Sequence, residues 1–530
     1  MLYIYNIIKA DYLQRTRSYS FLITLVITVY VAYLFVPAND ATYTTLSTAG
    51  KQVYKSAYTS AWVGYVSGIM TTVMLSFYGF LLVNSGIKKD IDTEVGLIIA
   101  TTPITNFKYL LSKQLSNYLV LVTIAGCTFT VSLLMFMLRG SGYPFILSNF
   151  VLPYLFFALP ALFVVAALAV VGEVFLGKRS ILQFIIYFFL CGVAMSLIST
   201  RGGNNPTGVF DPFGLSLLTH SITSHINAQF HEHITSASFG FIFSGKKPFQ
   251  LFVWEGLSWS AVFIFSRLLW MGLGVGLVYG SSFFFHRFDF KQASGSKKKK
   301  KQITVSSPAD KLTINPAGIS RASLPPLTFN YGIYPFIKTE LLLLIRQGNK
   351  WLWLPNAALW VAMIFAPLNI AYAYLLPVLL FLQVTRLSDL VTKEKTNRIH
   401  YFAYASYKPL QRMLPAQILA GVLLVLGLAL PVIIRCAVTA NGYGVLSIIN
   451  GSVLIVLLAV ALGILTGGKK LFEVLFFMLT YSVLNKIPVT DYLGSLPHPN
   501  ITLVILAVLG NNAALALISF ITRSYQARHL

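Results

Sequence analysis

Charged residues are scarce in this sequence. Only 11% of the 530 residues are charged and 16 are acidic, whereas about a quarter of an ordinary soluble domain is charged. Hydrophobic residues make up 56% of the chain, and the mean hydropathy is +0.72. This composition excludes a soluble globular protein and indicates a polytopic membrane protein.

Cysteine is also rare, and the apolar runs lack groups suited to catalysis. The chain has three cysteines, Cys127, Cys191 and Cys436, each in or beside an apolar run. They offer neither a disulfide framework nor a metal-ligand spacing. The apolar runs contain no pairing of carboxylates, of Ser with His, or of His with Asp at a catalytic spacing. We therefore expect no enzyme activity in this chain.

What the chain does contain is a series of long apolar runs. A helix needs about 20 residues to cross the hydrocarbon core of a bilayer, and twelve runs approach this length. They cover residues 21–36, 62–83, 115–138, 151–171, 181–200, 257–285, 351–366, 371–385, 414–434, 445–466, 471–484 and 501–522. The predicted fold class is an all-α polytopic membrane protein with about twelve transmembrane helices.

The positive charges follow a topology. The net charge is +24, and if both termini are cytoplasmic, the cytoplasmic segments hold 31 of the 40 Lys and Arg residues. Such an excess is typical of the cytoplasmic loops of membrane proteins. The distribution therefore predicts cytoplasmic termini and a lipid bilayer as the surrounding partner, and it argues against nucleic-acid binding.

The sequence predicts two parallel repeats. Residues 7–11 (Ile-Ile-Lys-Ala-Asp) match residues 336–340 (Phe-Ile-Lys-Thr-Glu). Each opens an amphipathic segment suited to the membrane surface, which we call a lead helix. Residues 100–114 match residues 403–417 in their position between the second and third apolar runs of each half. We therefore predict six spans followed by six spans in the same orientation.

The repeat predicts the domain boundaries. The first transmembrane domain covers residues 1–286, with a polar outer insertion at about 201–256, and the second covers residues 331–530. Residues 287–330 form a linker with five consecutive lysines and four prolines. Such a polar segment has too little apolar surface to fold alone, and its lysines would be attracted to anionic lipid headgroups.

Two segments have the Gly-x4-Gly-Lys spacing of a phosphate-binding loop, at residues 172–178 and 463–469. In such a loop the next residue is Ser or Thr, which holds magnesium, but here it is Arg179 or Lys470. Each segment also ends an apolar run instead of following a β-strand. We interpret both as tight turns and expect no ATPase in this chain.

Several of these features together resemble one family. They are six spans per domain, a lead helix, an insertion containing Asp211-Pro-Phe-Gly214, and a charged loop with the pattern Glu94…Ala100-Thr-Thr-Pro103…Leu111-Ser-Lys113. In this combination the chain resembles permeases of the type-2 ATP-binding-cassette (ABC) exporter family, with both six-helix domains fused in one polypeptide.

The resemblance implies a transport subunit in the bacterial cytoplasmic (inner) membrane. Two copies of a separate cytoplasmic ABC ATPase would bind ATP and magnesium, and this chain would hold no cofactor itself. The sequence leaves the exported substrate open. An aromatic content of 14% suits an amphiphilic peptide, lipid-like or drug-like molecule, although aromatic residues also populate membrane interfaces.

The resemblance also implies which residues would contact the ATPases. Coupling loops between the second and third spans would contribute Asp92, Glu94, Pro103, Lys108, Lys113, Lys393, Glu394, Lys395 and Arg398. The lead helices would contribute Lys9, Asp11, Lys338 and Glu340. Asn397 and Ser406 stand where the first domain has Glu94 and Pro103, so the two ATPase contacts are expected to be unequal.

Three further residues are candidate sites. Arg267 lies inside an apolar run, where a charge usually faces protein or water. It could lie on the substrate path, or it could extend its guanidinium towards the membrane surface as a structural residue. His231 and His233 are weak candidates for a metal site, and a solvated outer hairpin is the alternative.

An ion-coupled secondary transporter is the second functional class that twelve spans allow. Such a carrier needs a protonatable or cation-binding group near the middle of the bilayer. Glu173, Glu255 and Glu473 lie instead at the ends of apolar runs. The sequence therefore favours the exporter subunit.

Overall fold

The structure is a computed structural model of the chain. It describes residues 2–38, 41, 43–48, 53–84, 86–140, 142–177, 180–201, 209–231, 233–234, 236–243, 249–285, 332–347, 351, 353–397, 399–405, 408–484, 490–496 and 500–528. The predicted linker and Arg398 therefore lie outside the described residues.

The first part of the chain is built mainly from helices. They are α1 (Leu2–Thr16), α2 (Tyr19–Leu34), α3 (Ser60–Val83), α4 (Gly86–Asp92), α5 (Val95–Ala100), α6 (Asn106–Arg139), α7 (Ser148–Pro153), α8 (Leu159–Leu176), α9 (Ser180–Arg201), α10 (Leu215–Phe230) and α11 (Ala261–Phe284). A π-helical turn, Tyr154–Ala158, connects α7 to α8.

The second part of the chain is also helical. Its elements are α12 (Tyr334–Arg346), α13 (Trp353–Phe365), α14 (Leu368–Ile370), α15 (Leu376–Phe381), α16 (Val384–Ser388), α17 (Lys393–Thr396), α18 (His400–Tyr404), α19 (Pro409–Val438), α20 (Gly442–Thr466), α21 (Lys470–Leu484) and α22 (Ile501–Arg528). A second π-helical turn, Ala371–Leu375, connects α14 to α15.

All twelve predicted apolar runs are helical over most of their length. Among the described residues, seven helices are long and apolar enough to cross a membrane, and α1 with α2, bent by 70°, would make an eighth span. Three of the other four runs form shorter apolar helices, and the run at residues 471–484 forms the 15-residue helix α21. The structure therefore supports a helical polytopic membrane protein, while the count of twelve spans stays a prediction.

Local sequence signals explain where several helices begin and end. The hydroxyl of Thr59 accepts a hydrogen bond from the Trp62 N–H at the start of α3, as N-terminal caps do. Gly177 and Gly467, with φ of 55° and 62°, end α8 and α20. A positive φ is easiest for glycine. The described residues of both Gly-x4-Gly-Lys segments therefore begin in the last turns of a helix and end it at a glycine, in agreement with the interpretation as turns.

The described part of the chain also contains four short strands. β1 (Tyr43–Thr48) pairs with β3 (Ala237–Phe243) in antiparallel orientation, and β2 (Val53–Ser56) pairs with β4 (Phe249–Phe252) in parallel orientation. The segment after α2 and the predicted outer insertion are thereby joined. We call this end of the molecule the strand end.

The opposite end carries residues 84–114 and 386–412, and we call it the loop end. Here the Nζ of Lys470 donates a hydrogen bond to the carbonyl of Asn84 and so connects the start of α21 to the end of α3. Farther along α21, the ring of Phe477 lies 4.5 Å from that of Phe184 in α9. The two parts of the chain therefore pack against each other through both polar and aromatic contacts.

Candidate functional site

The first predicted coupling loop contains the short helices α4 and α5. Asp92 ends α4, and Glu94 precedes α5 with a φ of 62°. Both are exposed, as are Pro103 and Lys108. Lys113, by contrast, is buried in α6. Four of the five predicted residues of this loop thus lie on the surface, and the fifth belongs to the interior.

Lys113 joins three helices by ionic contacts. Its Nζ lies 2.7 Å from Oδ2 of Asp11 in α1 and 2.7 Å from Oδ2 of Asp90 in α4. Tyr109 donates a 2.7 Å hydrogen bond to the same oxygen of Asp90. The lysine side chain is only 3% exposed, and an unpaired buried charge is strongly destabilising. The two carboxylates therefore hold α1 and α4 against α6.

The N-terminus of α4 is fixed by a second buried carboxylate. Glu173 of α8 accepts hydrogen bonds from the backbone N–H groups of Gly86, Ile87 and Lys88, at 2.8, 2.7 and 3.1 Å. These N–H groups have no partner within the helix, and negative charge is favourable at this end. The loop is consequently anchored to α8 as well as to α6.

The second predicted coupling loop has a different set of buried contacts. Lys393 of α17 forms an ion pair with Glu340 of the lead helix α12. The neighbouring Glu394 accepts a 2.7 Å hydrogen bond from Gln417 of α19 and lies 4.0 Å from Arg523 of α22. Burial raises the pKa of Glu394, although the charges of Lys393 and Arg523 oppose this shift.

The remaining predicted residues of the loops and lead helices lie on the surface. Lys395 of the second loop is exposed, as are Lys9 in α1 and Lys338 in α12. The structure therefore separates the predicted set into an exposed group and a buried group. The half-buried Asp11 and the buried Glu340 occupy the matching positions of the two predicted lead helices, and each contacts a lysine.

Both loops also expose apolar side chains. Val95, Leu97 and Ile98 of α5 point outward, and Ile98 is 68% exposed. In the second loop, Tyr401 and Phe402 of α18 are 62% and 82% exposed. Contiguous exposed apolar side chains often mark surfaces that bind a protein or a membrane. We call these two sets of side chains the α5 patch and the α18 patch.

The sequence reasoning missed three residues that support these loops. Asp90, Glu173 and Gln417 were not predicted to contact Lys113, the start of α4 or Glu394. Glu173 lies beside an apolar run and Gln417 lies within one, where an unpaired polar side chain is costly and usually faces protein. That signal could have identified these two as buried, but it does not specify their partners. Asp90 lies among charged residues and carries no such signal.

Arg267 lies at the strand end, in contact with the Asp-Pro-Phe-Gly segment. It is 2% exposed, and its Nη2 donates a 2.6 Å hydrogen bond to the Asp211 carbonyl. The carboxylate of Asp211 accepts bonds from the N–H groups of Phe213 and Ser216, at 2.8 and 2.7 Å. Burial raises the pKa of Asp211, and these bonds oppose the shift. This contact connects α11 to the Asp-Pro-Phe-Gly segment, and a place for Arg267 on the substrate path stays a prediction.

A similar turn occurs in the second part of the chain, and the sequence reasoning overlooked it. Asp491 begins an Asp-Tyr-Leu-Gly segment, and its Oδ1 accepts a 3.0 Å bond from the Ser495 N–H. Gly494 has a φ of 70°. Tyr372, in the second π-helical turn, donates a 2.5 Å hydrogen bond to the Leu493 carbonyl. The shared Asp-x-x-Gly spacing was visible in the sequence.

The histidine candidates lie on the surface. His231 follows α10 with a φ of 52°, and both His231 and His233 are exposed. Within the part of the chain that the structure describes, no group of three or more His, Cys, Asp or Glu residues could hold a metal ion. The site with the most buried ionic contacts is instead the loop end.

No family model matches the chain, and no curated protein or solved structure matches it either. The functional conclusion therefore depends on the geometry of the loop end, where two exposed apolar patches stand on buried ionic anchors.

Proposed function

We propose that this chain is the membrane-spanning permease of an ABC exporter, with two six-helix domains fused in one polypeptide. The observation that carries the proposal is the pair of short exposed helices, α5 and α18. Each presents an apolar patch to the surface and belongs to a loop with buried ionic contacts to a lead helix. Each patch would bind one copy of a cytoplasmic ATPase.

The anchors suit the transmission of movement. Because Lys113 and Glu173 bind α4 to α1, α6 and α8, a displacement of the loop by a soluble partner would also displace those longer helices. Rigid-body movement of packed elements is a common means of switching between conformations. In this proposal ATP and magnesium are bound by the partner, and the permease alternates between inward and outward access.

The topology and direction belong to the same proposal. Twelve spans in two parallel repeats, with cytoplasmic termini, would place both patches on the cytoplasmic side of a bacterial inner membrane. An amphiphilic substrate would move outward between the two domains, where α9 and α21 contact each other through aromatic rings. The duplicated Asp-x-x-Gly turns at residues 211–214 and 491–494 support the repeat.

The alternative of an ion-coupled carrier has less support. Among the described residues, the buried carboxylates lie at the two ends of the molecule and not in the middle of the long helices. They are Asp90, Glu173, Glu340 and Glu394 at the loop end and Asp211 and Asp491 at the strand end. Co-purification without any ATPase from native membranes would favour the carrier.

The test uses surface variants of both loops. We expect Ile98→Ser combined with Phe402→Ser to weaken binding of the cognate ATPase by at least about tenfold, since exposed apolar anchors contribute strongly to interfaces. Asp92→Ala combined with Glu94→Ala should reduce stimulated ATP hydrolysis. The measurements are co-purification and the rate of ATP hydrolysis, with the cytoplasmic ATPase that co-purifies with the unmodified chain from native membranes.

The matched control is Phe210→Ser, because Phe210 is 78% exposed but lies at the strand end. It should leave ATPase binding unchanged. Unchanged binding and hydrolysis in both loop variants would contradict the proposal.

A further inference from the structure

The lysines that anchor the two loops belong to different structural elements. In the first part of the chain, Lys113 belongs to the long helix α6 and lies between Asp11 and Asp90. The predicted alignment of residues 100–114 with 403–417 places Ala416, a buried residue of α19, at the position of Lys113. The lysine that contacts the second lead helix comes from the loop itself, at Lys393.

The different position of the lysine changes how the lead helix, the loop and the long helix are connected. A single side chain, Lys113, connects the first lead helix, the first loop and α6. In the second loop, two adjacent residues make these connections separately. Lys393 connects α17 to the lead helix α12, while Glu394 connects α17 to α19 through Gln417.

We propose that Lys113 is the positioning residue through which α1 and α4 move together with α6, whereas α17 is positioned by two separable contacts, at Lys393 and at Glu394. The inference rests on the proposed function, in which these loops receive movement from the ATPases. Its consequence is unequal coupling. Loss of Lys113 removes an ionic contact from both the lead helix α1 and the loop helix α4, although Tyr109 and Glu173 still bind α4. Loss of Lys393 removes only the contact between α17 and the lead helix α12.

Amide hydrogen exchange of the full chain in detergent tests this arrangement of contacts in the absence of any ATPase. In Lys113→Met, exchange should accelerate at least about tenfold in α1 and by a smaller factor in α4. Both helices lose an ionic contact to α6, but Tyr109 and Glu173 still bind α4. In Lys393→Met it should accelerate in α12 but stay unchanged in α17, which Glu394 still holds. Acceleration in both α12 and α17 would overturn the proposal.

Charge reversal supplies a second criterion. Glu340→Lys combined with Lys393→Glu should restore the exchange pattern of the unmodified chain, because the pair is re-formed with opposite polarity. Asp11→Lys combined with Lys113→Asp should not restore it, because the introduced carboxylate would face Asp90. Recovery of the unmodified exchange pattern in both charge-reversed variants would contradict the proposed difference between the two sets of contacts.

Two milder variants apply where Lys113→Met does not fold. Asp11→Asn should accelerate exchange in α1 only, and Asp90→Asn in α4 only, since Lys113 keeps one partner in each. If either variant loosens both helices equally, Lys113 is not the shared connection. Lys108→Met, on the exposed face of α6, is the matched control and should change neither helix.

The ATPase assay then separates this inference from the proposed function. Lys113→Met is expected to lose most of the stimulation of ATP hydrolysis, and Lys393→Met to lose less. If no ATPase binds the unmodified chain, the proposed function fails, while the hydrogen-exchange result still tests which contacts hold the lead helices and the loops. If an ATPase binds but the two variants lose equal stimulation and exchange, the unequal coupling fails alone.

Discussion

Gly214→Ala is expected to destabilise the chain by about 3 kcal/mol, since a left-handed residue with a Cβ and an overpacked core each cost about 1–3 kcal/mol. Gly214 has a φ of 81°, and a Cβ built on it would lie 2.2 Å from Cδ1 of Phe157. Phe157 is fully buried in the first π-helical turn. Its ring has little room to move, because protein interiors are densely packed.

The measurement is the apparent melting temperature in detergent, with Gly142→Ala as the matched control. Gly142 has a similar φ of 74° but no atom within 4 Å of its virtual Cβ, so it reports the backbone strain alone. Gly214→Ala combined with Phe157→Leu should recover part of the loss. An equal loss in the two single variants would show that the contact with Phe157 is not the cause.

Glu173→Gln is expected to destabilise the chain by about 3 kcal/mol, because hydrogen bonds to a charged group contribute roughly 1.5–3 kcal/mol each. The carboxylate accepts bonds from three consecutive N–H groups at the start of α4. A glutamine offers a single acceptor oxygen, and its NH2 group would face the remaining donors. Helix α4 has seven residues and is too short to be stable alone.

Melting temperature and hydrogen exchange over residues 86–92 measure this effect. We expect faster exchange in α4 and, under the proposed function, weaker stimulation of the ATPase. Glu94→Gln is the control, because Glu94 is exposed and its side chain makes no capping bond at the start of α5. It should leave the melting temperature unchanged. Normal protection of α4 in Glu173→Gln would mean that the Glu173 bonds do not hold this helix.

The helical segments and several of their ends were predictable from the sequence. Apolar runs of this length form helices because a bilayer requires every backbone polar group to be bonded internally. Thr59 and Gly177 are local signals, since a cap or a positive φ depends on one residue and its immediate neighbours. The short strands were not predicted, because their pairing joins segments that are distant in the chain.

The burial of individual charges was less predictable. Lys108 and Lys113 both lie in the first turns of α6, and the sequence analysis assigned both to the predicted coupling loop. Five residues correspond to a rotation of about 140° around a helix, so the two side chains point to different faces. Lys108 is exposed and Lys113 lies between two carboxylates. Which face is inward depends on the packing of α1 and α4.

Arg267 is another charge whose need for a partner was predictable but whose partner was not. Its place within an apolar run predicted a costly charge that must find polar partners or water. Only the structure supplies the partner, the carbonyl of Asp211, 56 positions away in the chain. That contact joins two segments that are distant in the chain, so no local property of the sequence predicts it.

The sequence by itself determined the helical, strongly apolar character of a membrane protein, because apolar length and charge scarcity are properties of the chain alone. It also predicted matching lead helices and loops from local spacing. The tertiary structure decided which charged residues are buried and which present a surface, because that depends on how distant helices pack. It placed Asp11 and Asp90 around Lys113 and Glu340 beside Lys393, and so distinguished two loops that the sequence had matched.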